Sequence, residues 1–536
     1  MKSSGTVLGP RYETHFVETE SSGRRCVKLE GAGAFLEFSA REEANALVIR
    51  FSGPDSPDGA GADCMFALSV DGQRVRDLTL SSRFSRLYGD YPFVNDPSKG
   101  HERNFYDEHR VRGLSIRQGA TVRLELLSSG EKECIVDLVD LEHVPPPRIR
   151  PENSLSLADY GARGHGDSDD TAALRECLAA AIAQGKIVWV PAGDYKLTGD
   201  IDLETNAHIQ GAGMWHTTFH GDETLYPHAT RRVRFRLKGA QVRLADFAIV
   251  GKLKYRNDSE PNDGIIGAGC SESLVERIWV EHTKAGAWIY NGRKLSILGC
   301  RFRNLLADGV NLSVGTTDSL VENCSARGTG DDCFAIWPTP ADQGFVEAHA
   351  RPGNNIYRRC TGQLPFLANG IAIYGGANNR IEDCLFTDIP TACGVLISTT
   401  FPITNEDRTV NNNFSGTTVV KNTTLVRCGG FDDVWGWRGS LQLCLDHHGI
   451  SGVEVSNLQV ADSVSHGITL VAPGSARGDG RFSNIQFTDV KIDGVGVGLA
   501  NSHTFWIRDD AEGEIRLRNS HFSEVRNDSA KLVVAE

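Results

Sequence analysis

The first quarter of the chain alternates apolar and polar positions with the two-residue period of half-buried strands. The runs are "RCVKLE" (25–30), "GAFLEFSA" (33–40), "ALVIRFSG" (46–53), "FALSVDGQRVRDLTL" (66–80), "TVRLELLSS" (121–129) and "CIVDLVDLEHV" (134–144). Inside the fourth, "VDGQ" is a hairpin signal. Short strands separated by turn residues predict a β-sandwich. The stretch "VPPPRIRPEN" (144–153) ends this pattern, which divides the chain into residues 1–146 and 147–536. A helical period follows in "DDTAALRECLAAAIAQG" (169–185), with Asp169 or Asp170 as N-cap and Gly185 as stop. "KIVWVPAGDYKL" (186–197) then reads as strand and turn.

From about residue 240 the pattern repeats itself. "DGIIGAG", "AGAWIYNG", "DGVNLSVG", "DDCFAIWP", "NGIAIYGG", "CGVLISTT" and later "HGITLVA" align with Gly264, Gly286, Gly309, Cys333, Gly370 and Gly394 as equivalents, in steps of 22, 23, 24, 37 and 24. A second, out-of-phase series is Ile278, Cys300, Cys324, Cys360 and Cys384, in steps of 22, 24, 36 and 24. Both share one long step at 338–354, read as a loop inserted into a single coil. Short β-rich runs at this period make a solenoid. The leucine-rich alternative fails because its LxxLxL consensus is missing. A parallel β-helix remains, in which the Cys series is an inward ladder of small apolar side chains and the helix at 169–185 covers the open N-terminal edge.

Composition changes this picture little. The chain has 536 residues with 57 Gly and only 3 Met, which favours β-structure over helical bundles. A formal net charge of −13 argues against nucleic acid or an anionic membrane as partner, and favours a neutral ligand over an anionic one. No apolar run reaches membrane-spanning length, and "MKSSGTVLGP" has no signal-peptide core. The 13 Cys show no zinc spacing, so most are expected as buried free thiols and no dense disulfide framework is expected.

The repeat gives meaning to three acids. In this register Asp308 and Asp332 are equivalent residues on neighbouring coils, about 4.8 Å apart in the backbone, and Asp331 points elsewhere along the same surface. The same ladder position holds Asp263, Ala285, Asn369, Cys393 and His466. An Asp–Gly turn explains Asp263 as well as chemistry does, but like charges stacked on adjacent coils are destabilising without a compensating role. Grouped acids on a rigid scaffold suit glycoside hydrolysis, with one acid protonating the leaving oxygen and carboxylate activating water.

"ADGVN" followed by "GTGDDCFAIW" resembles the catalytic motif of glycoside hydrolase family 87, the α-1,3-glucanases and mycodextranases. "SRLYGDYPF", "NFYDEHR" and "IVDLVDLEHV" resemble its N-terminal β-sandwich, and "DYGARGHGDSDDTAAL" resembles the entry to a pectin-lyase-like right-handed parallel β-helix. The resemblance spans nearly the whole chain. It implies an all-β protein with an accessory, carbohydrate-binding-like sandwich at 1–146 and a catalytic β-helix at 147–536. The implied activity is endo-acting, inverting hydrolysis of α-1,3-glucan or mixed α-1,3/α-1,4-glucan. By motif, Asp331 resembles the general acid, and Asp308 and Asp332 the pair that activates water. An inverting acid would stand about 6.5–9.5 Å from that pair. Cys333 departs from the family pattern, in which a Gly follows the acid pair, and is expected to reshape the cleft wall.

Among aromatic residues near strand ends, Trp288, Trp337 and Tyr374 are the expected sugar contacts, with Asp263 and Asn369 binding hydroxyls beside the acids. Tyr290, together with Trp435 and Trp437 in the polar, aromatic run 431–450, adds further candidates. His447–His448 has no third ligand nearby, so no metal site is assigned; no cofactor is expected, and structural calcium is not indicated. Tyr88, Tyr91, Phe93, Phe105 and Tyr106 are read as packing. A polygalacturonase-like hydrolase would carry Gly-His-Gly on the coil after the acids and Arg-x-Lys beyond, but "LANGIAIYGG" stands there. A non-catalytic polysaccharide-binding β-helix explains the solenoid but not the grouped acids. The expected form is a secreted monomer.

Overall fold

The computed structural model describes residues 1–535 apart from 91–92, 129–132, 227–230, 261–262, 339–351, 402–411, 447 and 474–479. Most of the inserted loop expected at 338–354, together with Tyr91 and His447, therefore lies outside the described residues. Two compact units emerge, Met1–Pro147 with Lys252–Asp258, and Arg148–Gly251 with Ser259–Glu536.

The first unit is a sandwich of two five-stranded antiparallel sheets. The expected runs are all strands, and Val70 pairs with Gln73 around the left-handed Asp71 and Gly72, as the hairpin signal requires. One long strand, Asp107–Ile116, carries no such signal. Its sequence "DEHRVRGLSI" opens on four polar residues, Asp107 to Arg110, that are buried or half-buried beside Ala44–Ser52, so no alternation marks it. The core gathers Leu47, Ile49, Phe66, Leu68, Val122 and Leu124. Cys64 and Cys134, on strands of opposite sheets, form a disulfide, and the other eleven Cys are free and buried. Tyr88, Phe93, Phe105 and Tyr106 are buried, in keeping with packing.

The second unit is a right-handed parallel β-helix, with a 12-stranded and a 24-stranded parallel sheet built from short strands, one set per coil. Pairing runs Ile265↔Ala287↔Val310↔Phe334↔Ile371↔Val395, so the Gly series identified from the sequence is in register residue by residue. A coil that the series passed over lies between its last two members. Leu441–Cys444 stands between Val395–Ser398 and Ile468–Val471, and Ser440 occupies in it the place that Gly394 and Gly467 hold on the coils to either side. A surface hairpin, Phe431–Asp432 with Gly436–Trp437, precedes that strand. Asp432 accepts hydrogen bonds from Val434 N and Trp435 N, so Asp432–Asp433 belongs to a turn.

The Cys ladder is interior. Cys300, Cys324, Cys360 and Cys384 are each at most 3% exposed, and their thiols donate to carbonyls of the preceding coil such as Val275 O and Ile297 O. The residue before each is left-handed (Gly299, Asn323, Arg359, Asp383), which turns the chain and brings the next side chain inward. At the N-terminal end the helix Thr171–Gln184 buries Leu174, Cys177, Leu178 and Ala181 in the solenoid core. Asp169, not Asp170, supplies its cap, accepting from Thr171 N at 3.0 Å. No helix among the described residues is long and apolar enough to cross a membrane.

Side-chain size alternates between facing rows inside the solenoid, and this accounts for Cys333. A Cβ on Gly286 would lie 2.2 Å from Phe302, and one on Gly370 would lie 2.7 Å from Phe386. Where the first row carries Cys333, the facing residue is Gly362, whose added Cβ would stand 3.0 Å from that of Cys333. The Cys333 side chain thus points into the core and not at the cleft wall, contrary to expectation. Gly362→Ala should lower the urea midpoint by the equivalent of about 1–3 kcal/mol through overpacking. Adding Cys333→Gly should recover part of the loss, and a purely additive double variant would refute the facing-row account.

Candidate active site

Asp308 and Asp332 sit two residues before the paired strands Val310–Ser313 and Phe334–Trp337. Gly309 N donates to Asp332 O at 3.0 Å, which fixes the two turns one strand spacing apart. Asp331 precedes Asp332 directly and is half-buried, whereas Asp308 and Asp332 are 5% and 2% exposed. One carboxylate oxygen from each of the three acids lies within 4.8 Å of those of the other two. The separation of about 6.5–9.5 Å expected for the acid is therefore not observed. Chain adjacency ties Asp331 to Asp332, and strand pairing brings Asp308 alongside.

Each acid is held. Asn311 Nδ2 donates to Asp308 Oδ2 at 2.8 Å. Asp332 Oδ1 accepts from Asn369 N at 3.0 Å and Asn369 Nδ2 at 2.8 Å, and its Oδ2 accepts from the Tyr374 hydroxyl at 3.1 Å. Asp332 N donates to Asp331 Oδ1, and Thr329 Oγ1 donates to Asp331 O, pinning the turn that presents both acids. Burial, and then the charge of Asp331, push the Asp332 carboxyl up to about 7 despite those three donors. Burial first and Asp332 next raise the Tyr374 hydroxyl well above its usual range, so it remains a donor.

These contacts add a bracing role to two of the expected sugar contacts. Asn369 Nδ2 donates to Asp332, and its Oδ1 accepts from Cys393 N, so it braces an acid. Tyr374 braces the same acid from the other oxygen. Asn311, three residues after Asp308 and on the same face, is a supporting residue that pattern reading missed, although its place in "DGVN" was a signal. Lys284 was also missed. It precedes ladder residue Ala285 as Asp331 precedes Asp332, is 3% exposed, and donates to Glu260 O at 2.8 Å.

Asp263 is 1% exposed, with Lys284 Nζ 3.8 Å from its Oδ1 and no hydrogen-bond partner for either oxygen among the described residues. Trp288 occupies the strand position paired with Asn311 and lies 6.0 Å from Trp337, ring centre to ring centre. Both indole N–H groups are buried without an acceptor among the described residues. These are unpartnered donors and an acceptor close in register to the acids. The acids are also close enough together to share one cation. Three hydrogen-bond donors already occupy Asp332, however, which weakens it as a ligand.

Two family models match the chain, "Alpha-1,3-glucanase catalytic domain D1" over residues 1–144 and "Alpha-1,3-glucanase catalytic domain D2" over residues 167–444. The catalytic unit of a thermostable α-1,3-glucanase of glycoside hydrolase family 87 from Streptomyces thermodiastaticus is 28% identical, with TM-score 0.82 over 100% of this chain and 94% of that one. The Agl-KA catalytic domain is 24% identical, with TM-score 0.86 over 99% and 95%. An α-1,3-glucanase catalytic domain of the same family in complex with nigerose is 22% identical, with TM-score 0.83 over 100% and 96%. Among curated proteins, the mannuronan C5-epimerase AlgE2 of Azotobacter vinelandii is 41% identical over 70 residues, which are 12% of this chain and 7% of the epimerase. The pre-neck appendage protein of Bacillus phage phi29 is 25% identical over 41% of this chain and 28% of its own length. The chain thus spans less than a third of either curated relative's length.

Proposed function

Because the chain belongs to the family of α-1,3-glucanase catalytic domains, we propose that it is a glycoside hydrolase that cleaves α-1,3-glucosidic bonds within a neutral α-glucan, with inversion. The observation that carries this reading is the three-acid cluster, with oxygens within 4.8 Å of one another on adjacent coils. Two hydrogen bonds of about 2.8 Å meeting at a water's tetrahedral angle leave their acceptor oxygens about 4.6 Å apart. Asp308 and Asp332 have the spacing to clasp such a water, orient it and take its proton. Asp331, the more accessible acid, donates to the glycosidic oxygen as the bond breaks.

A second reading is retention, since a short carboxyl separation is the mark of retaining enzymes, where about 5 Å is usual. It makes Asp308 or Asp332 the nucleophile. Both are buried and braced by amide donors, which lowers nucleophilicity and suits a fixed base better. The reaction needs no metal in this scheme, because the cluster itself supplies acid and base. Asp263, Lys284, Trp288 and Trp337 supply hydrogen-bonding and ring contacts to the sugars beside the scissile bond. A polymeric substrate implies export, and the Cys64–Cys134 disulfide fits an oxidising compartment.

Reducing-end release from α-1,3-glucan, nigeran and pectate tests the substrate. Release from the first or second but not from pectate is expected. Release from pectate alone would replace this reading with the polygalacturonase-like one.

A further inference from the structure

Three to five strands beyond Asp332 along the same sheet lies a cavity of about 300 Å³. Its floor continues a single row of the ladder, in which Asn311, Ala335, Ala372, Leu396, Gln442, Thr469 and Trp506 are paired in turn. Asn311 braces Asp308, so the cavity and the acids share one face of the sheet, about 14–24 Å apart at the usual strand spacing.

The lining is aromatic. Trp435 and Trp437 come from the surface hairpin and Trp506 from the floor. The Trp506 indole N–H donates to Asp528 Oδ2 at 2.9 Å, which fixes the ring. Between them sit donors suited to hydroxyls. Arg438 is 7% exposed, lies 5.2 Å over the Trp435 ring, and has an Nε without a hydrogen-bond partner among the described residues. His466 Nδ1 accepts from His503 N, which leaves its Nε2 as the protonated nitrogen. Burial, then His503, push the His466 ring down to about 4, so it is neutral near neutral pH.

The charges present are matched. Arg508 pairs with Asp510, and Arg438 acts on the Asp432 carboxyl across the hairpin. A site with aromatic walls, polar donors and balanced charge fits a neutral sugar better than an anion. We propose that this cavity is a distal subsite that holds a remote glucosyl stretch of the same α-glucan chain that is cut at the acid cluster, an assignment that rests on the hydrolase reading. It would favour long chains over short ones, because only a long chain reaches both places at once.

The test compares wild type with Trp435→Ala, Trp435→Phe and Trp506→Ala on a long soluble α-1,3-glucan fraction and on an α-1,3-linked trisaccharide. Trp435 is on an exposed hairpin beside Val434, which is 81% exposed, so its truncation spares the solenoid core. The ratio of kcat/KM on the long chain to that on the trisaccharide should fall about tenfold in Trp435→Ala and Trp506→Ala, the effect of roughly 1.4 kcal/mol of lost ring contact. Trp435→Phe should restore most of it. An unchanged ratio, including an equal loss on both substrates, overturns the subsite. A wild-type enzyme that cuts neither α-1,3-linked substrate is a different result, which removes the hydrolase reading and the subsite with it.

Discussion

Replacing Asp308, Asp331 or Asp332 by Asn should lower turnover about 10²–10⁴-fold in each case, with the fold intact. Amide and carboxylate have nearly the same shape, so only proton transfer and charge are removed. At Asp332 the Asn oxygen can still accept from Asn369, and its amide can face the Tyr374 oxygen, so the local hydrogen-bond count survives. At Asp308 the Asn311 amide keeps an acceptor in the same way. Circular dichroism and melting temperature report the fold, and single-turnover rates report the chemistry. Wild-type turnover in one of the three variants would remove that residue from the chemistry. Asp308 is the acid most open to that demotion, to a substrate contact, because Asp331 and Asp332 form the adjacent pair.

Activity should fall about tenfold per pH unit below about pH 7. Asp332 is raised to about 7, by burial first and by Asp331 second, so it holds a proton below that pH. As a base that takes the proton of water, it must be ionised. The raised ionisation therefore keeps the inactive acid form below about pH 7 and yields the base above it. Asn369→Ala removes the side-chain donor that favours ionised Asp332, leaves the backbone donor in place, and should move this acidic limb upward. A pH–rate profile of kcat/KM checks both statements. An acidic limb unmoved in Asn369→Ala, or flat activity down to about pH 5, would contradict them.

Much of the fold was legible because a β-helix writes its period into the chain. The Gly series marks places where the backbone of the next coil leaves no room for a side chain; a Cβ on Gly309 would stand 2.3 Å from Cys333 O. The Cys series marks the position after a left-handed turn. Legibility failed where a coil replaced its markers, as Ser440 and Gln442 do in Leu441–Cys444.

The placement of the three acids followed from register alone. Their supports did not, because register gives a residue's row but not its partner. Asn369 was thus assigned to sugar without its bracing of Asp332, and Lys284 and Asn311 went unread beside residues that were recognised. The expected carboxyl separation failed for a related reason. It is a rule for two acids facing across a sugar, and here two of three are chain neighbours.

The most direct test of the central claim is proton NMR of the first sugar released from α-1,3-glucan, recorded before mutarotation. Clasping of water by Asp308 and Asp332, with proton donation by Asp331, predicts that the β-anomer appears first and the α-anomer grows in later. The α-anomer appearing first, or a glycosyl azide trapped in an Asp308, Asp331 or Asp332 variant supplied with azide, would contradict the account.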